Sequence, residues 1–239
     1  MRKNIWIFTG VIVFLILVFG GSLISLYTDW LWFGELGYTS VFRTQILSRV
    51  ELGLIGGLLF FLIVYSNLWL ARRFAPSSTP RYDTNPVRQR ISSVAQRGLN
   101  FLILGLTIFV SVMVALETSS HWMSYQMFTH PTAFGHTDPI FGNDIGFYIF
   151  KLGFMQYIYG WVLFALIVAA IATAAVHYID RAIDMIAGVP QFAPHVKAHL
   201  SMLFAAVLFV KAWGYRLDAY SLLYSSSGKV FGAGYTDVH

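Results

Sequence analysis

The chain has 239 residues, of which 57% are hydrophobic and only 11% charged, against about 25% charged in an ordinary soluble domain. So low a charge content excludes a solvated globule. The net charge of +5 does not mark a nucleic-acid binder, because six of the sixteen basic residues fall in one short loop between apolar runs, a placement suited to a membrane surface.

Apolar runs of nearly twenty or more uncharged residues recur along the chain, and each is long enough to cross a hydrocarbon core of about 30 Å as a helix. Backbone in lipid must satisfy its own hydrogen bonds. The expected fold is therefore all-α: a polytopic helical membrane protein of about five transmembrane helices with short interfacial helices. With no cysteine, disulfides, thiolate nucleophiles and Cys-based metal sites are excluded.

In chain order, Arg2 and Lys3 precede a charge-free run over residues 5–27. Gly20, Gly21 and Ser22 offer small residues near a signal-peptide cleavage point, but the run continues through Leu23, Ile24 and Leu26, beyond the usual signal core. An uncleaved first span is expected. Residues 28–51 hold Trp30, Trp32, Phe33, Tyr38 and Phe42 beside Asp29, Glu35, Arg43 and Arg49. Rings with an apolar body and a polar tip concentrate at headgroup level, so an interfacial segment lying along the bilayer is expected there; a stacking platform for a ligand is the sharper alternative. Residues 52–71 form the second span, in which Gly53, Gly56 and Gly57 permit a close helix neighbour.

The basic loop follows, with Arg72, Arg73, Arg81, Arg88, Arg90 and Arg97 against the single acid Asp83. Its first half is too rich in Pro and Ser for a helix. Asn85 then suits an N-cap and Pro86 the first helical position, opening a surface helix that leads into the third span, residues 98–116. The arginines either fix topology or bind anionic lipids. After the outer segment 117–151, residues 154–179 make the fourth span, ending near His177. Residues 180–197 turn back, with Ile179, Ile183 and Ile186 on one helical face until Gly188 and Pro190 stop it. His195 and His199 lie four apart, a spacing that can chelate a metal, although no neighbouring acid completes a HExxH-like pattern. The fifth span, residues 198–215, includes Lys211, which either snorkels to the interface or pairs inward with Asp218 seven residues on. Residues 217–239 form an outer interfacial segment. Thr236 or Asp237 there suits the cap of a further helix, so the chain is expected to be a truncated product leading into a missing continuation.

Ten of the sixteen basic residues lie in the N-terminal flank, the basic loop and the turn at residues 180–197. The positive-inside rule places those regions, and the N-terminus, in the cytoplasm, with the C-terminus outside. Residues 1–216 are thus a transmembrane bundle carrying an outer cap, residues 117–151. Within the cap, His121, His130, His136, Asp138 and Asp144 are ligand types that zinc accepts. Their spacings match no compact metal signature, and Pro131, Gly135, Pro139 and Gly142 describe a loop of several turns. A folded cap is the plainer expectation, with turns at Asp138-Pro139 and Gly142-Asn143-Asp144, seated by Ile140, Phe141, Ile145, Phe147, Tyr148 and Phe150. No catalytic motif or cofactor motif is recognisable.

Three stretches carry a family resemblance: TDWLWFGELGYTSVF at residues 28–42, DPIFGNDIGFYIFKLGF at residues 138–154, and AWGYRLDAYSLLYSSSGKVFGAGYTDVH at residues 212–239. They resemble the N-terminal part of uncharacterised protein family 0182, large bacterial multi-spanning membrane proteins. One departure is Gly153, where the family pattern leads one to expect proline. The resemblance implies more spans, then a large extracytoplasmic region, and it implies no reaction. The function expected is a membrane-anchoring and scaffolding part of a larger extracytoplasmic protein in the bacterial plasma membrane. Its partners would be the bilayer, anionic lipids at the cytoplasmic face and an extracytoplasmic domain or protein, with no nucleic acid. A transporter or channel subunit is the alternative, and an outer-face metal-dependent enzyme a second.

Overall fold

The computed structural model describes residues 2–74, 86–179, 183–186, 189–226 and 231–235. Six α-helices account for most of them: α1 (Arg2–Glu35), α2 (Thr39–Arg73), α3 (Pro86–Ser120), α4 (Trp122–Thr129), α5 (Gly153–Ile179) and α6 (Pro194–Ser221). A π-helical turn, Phe147–Leu152, leads into α5, and a 3-10 turn, Leu222–Tyr224, ends α6. The protein is all-α in architecture, with one short hairpin. Among the described residues, four helical segments are long and apolar enough to cross a bilayer: Thr39–Arg73, Arg97–Ser120, Phe147–Ile179 and Pro194–Tyr224. With its charge-free stretch, α1 is a fifth helix of spanning length, 34 residues, or about 50 Å.

The chain divides into two compact units, Met1–Val50 and Glu51–His239. In the first, residues 28–51 do not form the separate interfacial segment expected of them. The helix of α1 runs on to Glu35, and α2 is already formed at Thr39. Only residues 36–38 interrupt it: Gly37 takes φ +75°, a conformation that disfavours other residues, whereas Gly34 stays helical within α1. Phe33 and Phe42 meet across this turn with ring centroids 5.6 Å apart, while Trp30, Trp32 and Tyr38 are exposed.

In the second unit, Phe60, Val64, Leu68 and Ala71 follow one face of α2 at helical spacing. They pack with Val114 of α3, Ala165, Ala169 and Val176 of α5, and Leu203 of α6. The rings of Trp161 and Phe164 lie 6.4 and 5.9 Å from Phe60. Small residues set how closely the helices approach. A Cβ on Gly53 would stand 2.9 Å from the Ala115 carbonyl oxygen, one on Gly56 2.6 Å from Thr118 Cγ2, and one on Gly57 2.7 Å from Ala115 Cβ. The three glycines thus admit a close helix neighbour as expected, and that neighbour is α3. A fourth close approach, Gly214 of α6 against the Tyr159 ring of α5, was not evident from an isolated glycine.

Residues 180–197 depart from their expected helical reading. Ile183–Ile186 and Val189–Phe192 pair antiparallel, Ile183 opposite Phe192 and Ile186 opposite Val189. The β-branched residues on both arms favour a strand, and Pro190 allows no helix of useful length after Ile179. As anticipated, α3 opens at Pro86. The side chains of Arg88 and Arg90, all of Arg81, and the expected cap at Thr236 or Asp237 lie outside the described residues. The helix passes through Gly153 with φ −59° and ψ −41°, so the irregularity there is the π-helical turn before it.

Candidate functional site

The helix ends of the second unit form two polar constellations. At the cap end, Glu117 at the foot of α3 accepts a hydrogen bond from the Tyr157 hydroxyl at 3.0 Å and meets His121 Nε2 at 3.1 Å. The imidazole of His121 stacks on the Tyr157 ring, centroids 3.9 Å apart. The Tyr125 hydroxyl donates to Glu51 at 3.3 Å, and burial, then the Glu51 carboxylate, raises its pKa. This group ties α2, α3, α4 and α5 together at one level, and Gln156 adds α6 through Ser221 at 2.8 Å.

Above it lies the loop over residues 130–146, organised by two aspartates. Asp138 accepts from the amides of Ile140, Phe141 and Asn143 and from the Tyr148 hydroxyl. Asp144 accepts from the amides of Phe134, Gly135 and Gly146. Burial pushes the Asp138 carboxyl up, but the Phe141 amide, the Tyr148 hydroxyl and the Asn143 and Ile140 amides outweigh it and hold the pKa below the ordinary carboxylate value. Asp144 is held low by the amides of Phe134 and Gly146, against a smaller opposing effect of burial, with help from Gly135 and the nearby His136. Gly135 and Gly142 take φ +72° and +70° at the two bends. The loop is seated on α6, where Phe141 and Phe147 lie edge-on to Tyr220 at 5.0 and 5.2 Å. Phe150 instead stacks on Phe134 at 6.1 Å, and Ile140 and Ile145 remain exposed. The nearby cavity of about 170 Å³ beside Asp144 and Lys151 is smaller than the roughly 300 Å³ at which ligand pockets begin.

Four of the five cap residues singled out as metal ligands are thus spent separately, and His136 lies near Asp144. His121 is on Glu117, His130 Nδ1, at the end of α4, lies 3.3 Å from the Gln126 carbonyl, and both aspartates are engaged by their loop. Among the described residues no three His, Cys, Asp or Glu side chains gather to hold a metal ion. Lys211 sits among aromatic rings. Its amine stands over the rings of Tyr215 and Tyr159, at 5.2 and 5.9 Å from their centroids, a cation–π arrangement.

The second constellation is at the opposite, basic end. His177 of α5 lies between His195 and His199 of α6, with ring centroids 5.8 and 5.6 Å away. His199 Nε2 in turn meets Asn67 Oδ1 of α2 at 3.0 Å. The pair at four-residue spacing was legible in the sequence; His177 and Asn67 joined it only through the antiparallel course of the helices, which no local pattern encodes.

A bundle of membrane-spanning length, polar at both ends and capped on one side by an aspartate-pinned loop, defines a polytopic helical membrane protein. The chain belongs to the uncharacterised protein family UPF0182, whose profile it matches over residues 5–239. It is 36% identical over 239 residues to a UPF0182 protein of Saccharopolyspora erythraea, covering all of this chain and 25% of the relative. Relatives from Mycobacterium avium and Mycobacterium tuberculosis are 36% and 35% identical over 240 residues, each covered to 24% of its length. The chain spans about a quarter of the length of these curated relatives. No solved structure matches it.

Proposed function

We propose that this chain is the membrane-anchoring and scaffolding part of a larger extracytoplasmic protein, seated in the bacterial cell membrane with the basic end in the cytoplasm. The observation that carries this reading is the cap loop. Six backbone amides and one hydroxyl are spent on two aspartates, which supports a rigid surface, and the cavity beside Asp144 is smaller than an ordinary ligand pocket. That surface presents Phe134, Ile140 and Phe141, each at least 40% exposed, as apolar anchors for a protein partner. The arginines of the basic loop hold the opposite face to anionic lipid.

A photoreactive residue at Ile140, introduced into the whole protein in cells, is expected to crosslink to an extracytoplasmic polypeptide. The same group at Phe109, on the exposed face of α3, should give lipid adducts only. Lipid adducts at both positions, together with ion flux in proteoliposomes, would replace anchoring with transport. Orientation has its own check. A reporter active only in the cytoplasm should work when fused within residues 76–86 and fail within residues 129–143, and the reverse pattern overturns the assignment.

A further inference from the structure

The imidazoles at the basic end have a hydrogen-bond logic that anchoring does not use, and Asn67 fixes it. Its Nδ2 donates to the Ile63 carbonyl at 2.7 Å, so its Oδ1, purely an acceptor, is the atom that meets His199 Nε2. His199 therefore carries its proton on Nε2, and in the neutral ring Nδ1 is left as an acceptor. The group at Nδ1 is His177 Nε2, 3.4 Å away, which must then be the N–H donor. By elimination, neutral His177 has a bare lone pair on Nδ1. That atom is buried without a hydrogen-bond partner, as is Nε2 of His195, and His177 as a whole is only 1% exposed. Buried polar atoms are nearly always paired, and two orphans on neighbouring rings need a cause.

The two nitrogens of an imidazole point in nearly opposite directions. With Nε2 engaged by His199, Nδ1 of His177 faces away from that ring, and His195, one turn back along α6, is the other imidazole beside it. Two imidazoles bound to one metal ion at about 2.0 Å hold their centroids roughly 5 to 6 Å apart, and the His177–His195 separation is 5.8 Å. A ligand histidine usually donates its other ring N–H to a fixed acceptor, which sets its tautomer. His199, itself held by Asn67, does this for His177.

We propose that His177 Nδ1 and His195 Nε2 bind one late first-row transition-metal cation of the zinc and copper class, with His199 and Asn67 as positioning residues. Imidazole suits these ions. Both nitrogens of His199 are already engaged, so the protein supplies two ligands and the remaining positions are open to water or an exchangeable ligand. Such a site fastens α5 to the first turn of α6, across the hairpin that joins them.

The test uses the full chain purified in detergent micelles, freed of any polyhistidine tag, stripped with a chelator and titrated with Zn(II) and, under reducing conditions, Cu(I). One equivalent of at least one ion should bind in competition with a chromophoric chelator, with two imidazole nitrogens visible by X-ray absorption. His195→Phe should weaken binding at least a hundredfold, and Asn67→Leu by roughly ten- to a hundredfold. Replacing His121, His130 and His136 together by asparagine should leave it unchanged. Should His195→Phe lose its helical circular dichroism, His195→Gln makes the same comparison. Failure of the unaltered chain to bind either ion, or equal binding by the His195 variants, overturns the proposal.

Discussion

Gly57→Leu is expected to split α2 from α3 and to cost about 3 kcal/mol, the upper end of ordinary overpacking. For a chain of this length that corresponds to a fall in Tm of roughly 6 to 12 °C in detergent. The reason lies in what the new side chain would meet. At Gly56 the nearest atoms are Thr118 Cγ2 and Oγ1 at 2.6 and 2.7 Å, which can rotate, and Thr118 Cβ at 2.9 Å, which is fixed to the α3 backbone. At Gly57 they are Ala115 Cβ at 2.7 Å and the Ser111 carbonyl oxygen at 3.0 Å, both fixed to the α3 backbone, so only a shift of the whole helix relieves the clash. Gly56→Leu, whose Cβ would also meet a backbone-fixed Cβ on α3, should destabilise in the same sense. Gly105→Leu, on the same α3 but with nothing within 4 Å of its Cβ, should be neutral or slightly stabilising, because leucine is the better helix former by about 0.8 kcal/mol. Melting curves of the three variants decide it. Equal losses at Gly57 and Gly105 would mean that α2 and α3 do not pack through this face.

The glycine face was legible because three small residues at positions i, i+3 and i+4 of an apolar run have few other uses in lipid. Pro86 was legible for a similar reason: a proline after a capping residue starts helices far more often than it interrupts them. Gly214 was not, since a lone glycine says nothing about which ring will lie against it. The hairpin was misjudged because Ile179, Ile183 and Ile186 fit a helical period, while the competing β-propensity of Ile and Val beside Gly188 and Pro190 acts only once two strands can pair. The segment 28–51 was misjudged in the opposite sense. Its aromatic residues are of the type that suits an interface, but aromatic composition does not stop a helix, whereas Gly37 at φ +75° does. The turns of the cap were marked by Pro, Gly and Asp, yet the division of labour between Asp138 and Asp144 depends on amides up to ten residues away. His177 shows the limit most clearly, because its place between two histidines of α6 is set by the antiparallel course of two helices.

The second large effect concerns those aspartates. Asp144→Asn is expected to abolish hydrogen-exchange protection at the amides of Phe134, Gly135 and Gly146 at every pH. The carboxylate spreads these three donors over two acceptor oxygens. Asparagine offers one, and its NH2 presents donors where the backbone already presents its own. In the unaltered chain, protection should depend on pH in a definite sense. Both carboxyls are held below their ordinary pKa by the loop amides and, for Asp138, the Tyr148 hydroxyl, so folding of the loop favours the ionised form. The stability this confers is fully present above the unfolded carboxyl pKa, about 3.9, and is lost as pH falls through the lower folded values. Protection should therefore be flat between pH 7 and pH 5 and should fall below about pH 4 in both sets of amides. Asp138→Asn should release Ile140, Phe141 and Asn143 and leave the Asp144 set largely protected, since no amide is shared between the two carboxylates. Protection at Gly135 that survives Asp144→Asn would show that the loop is held by its ring contacts with Tyr220 alone. In that case the rigid surface on which the anchoring reading rests would have to be sought in the aromatic seat of α6.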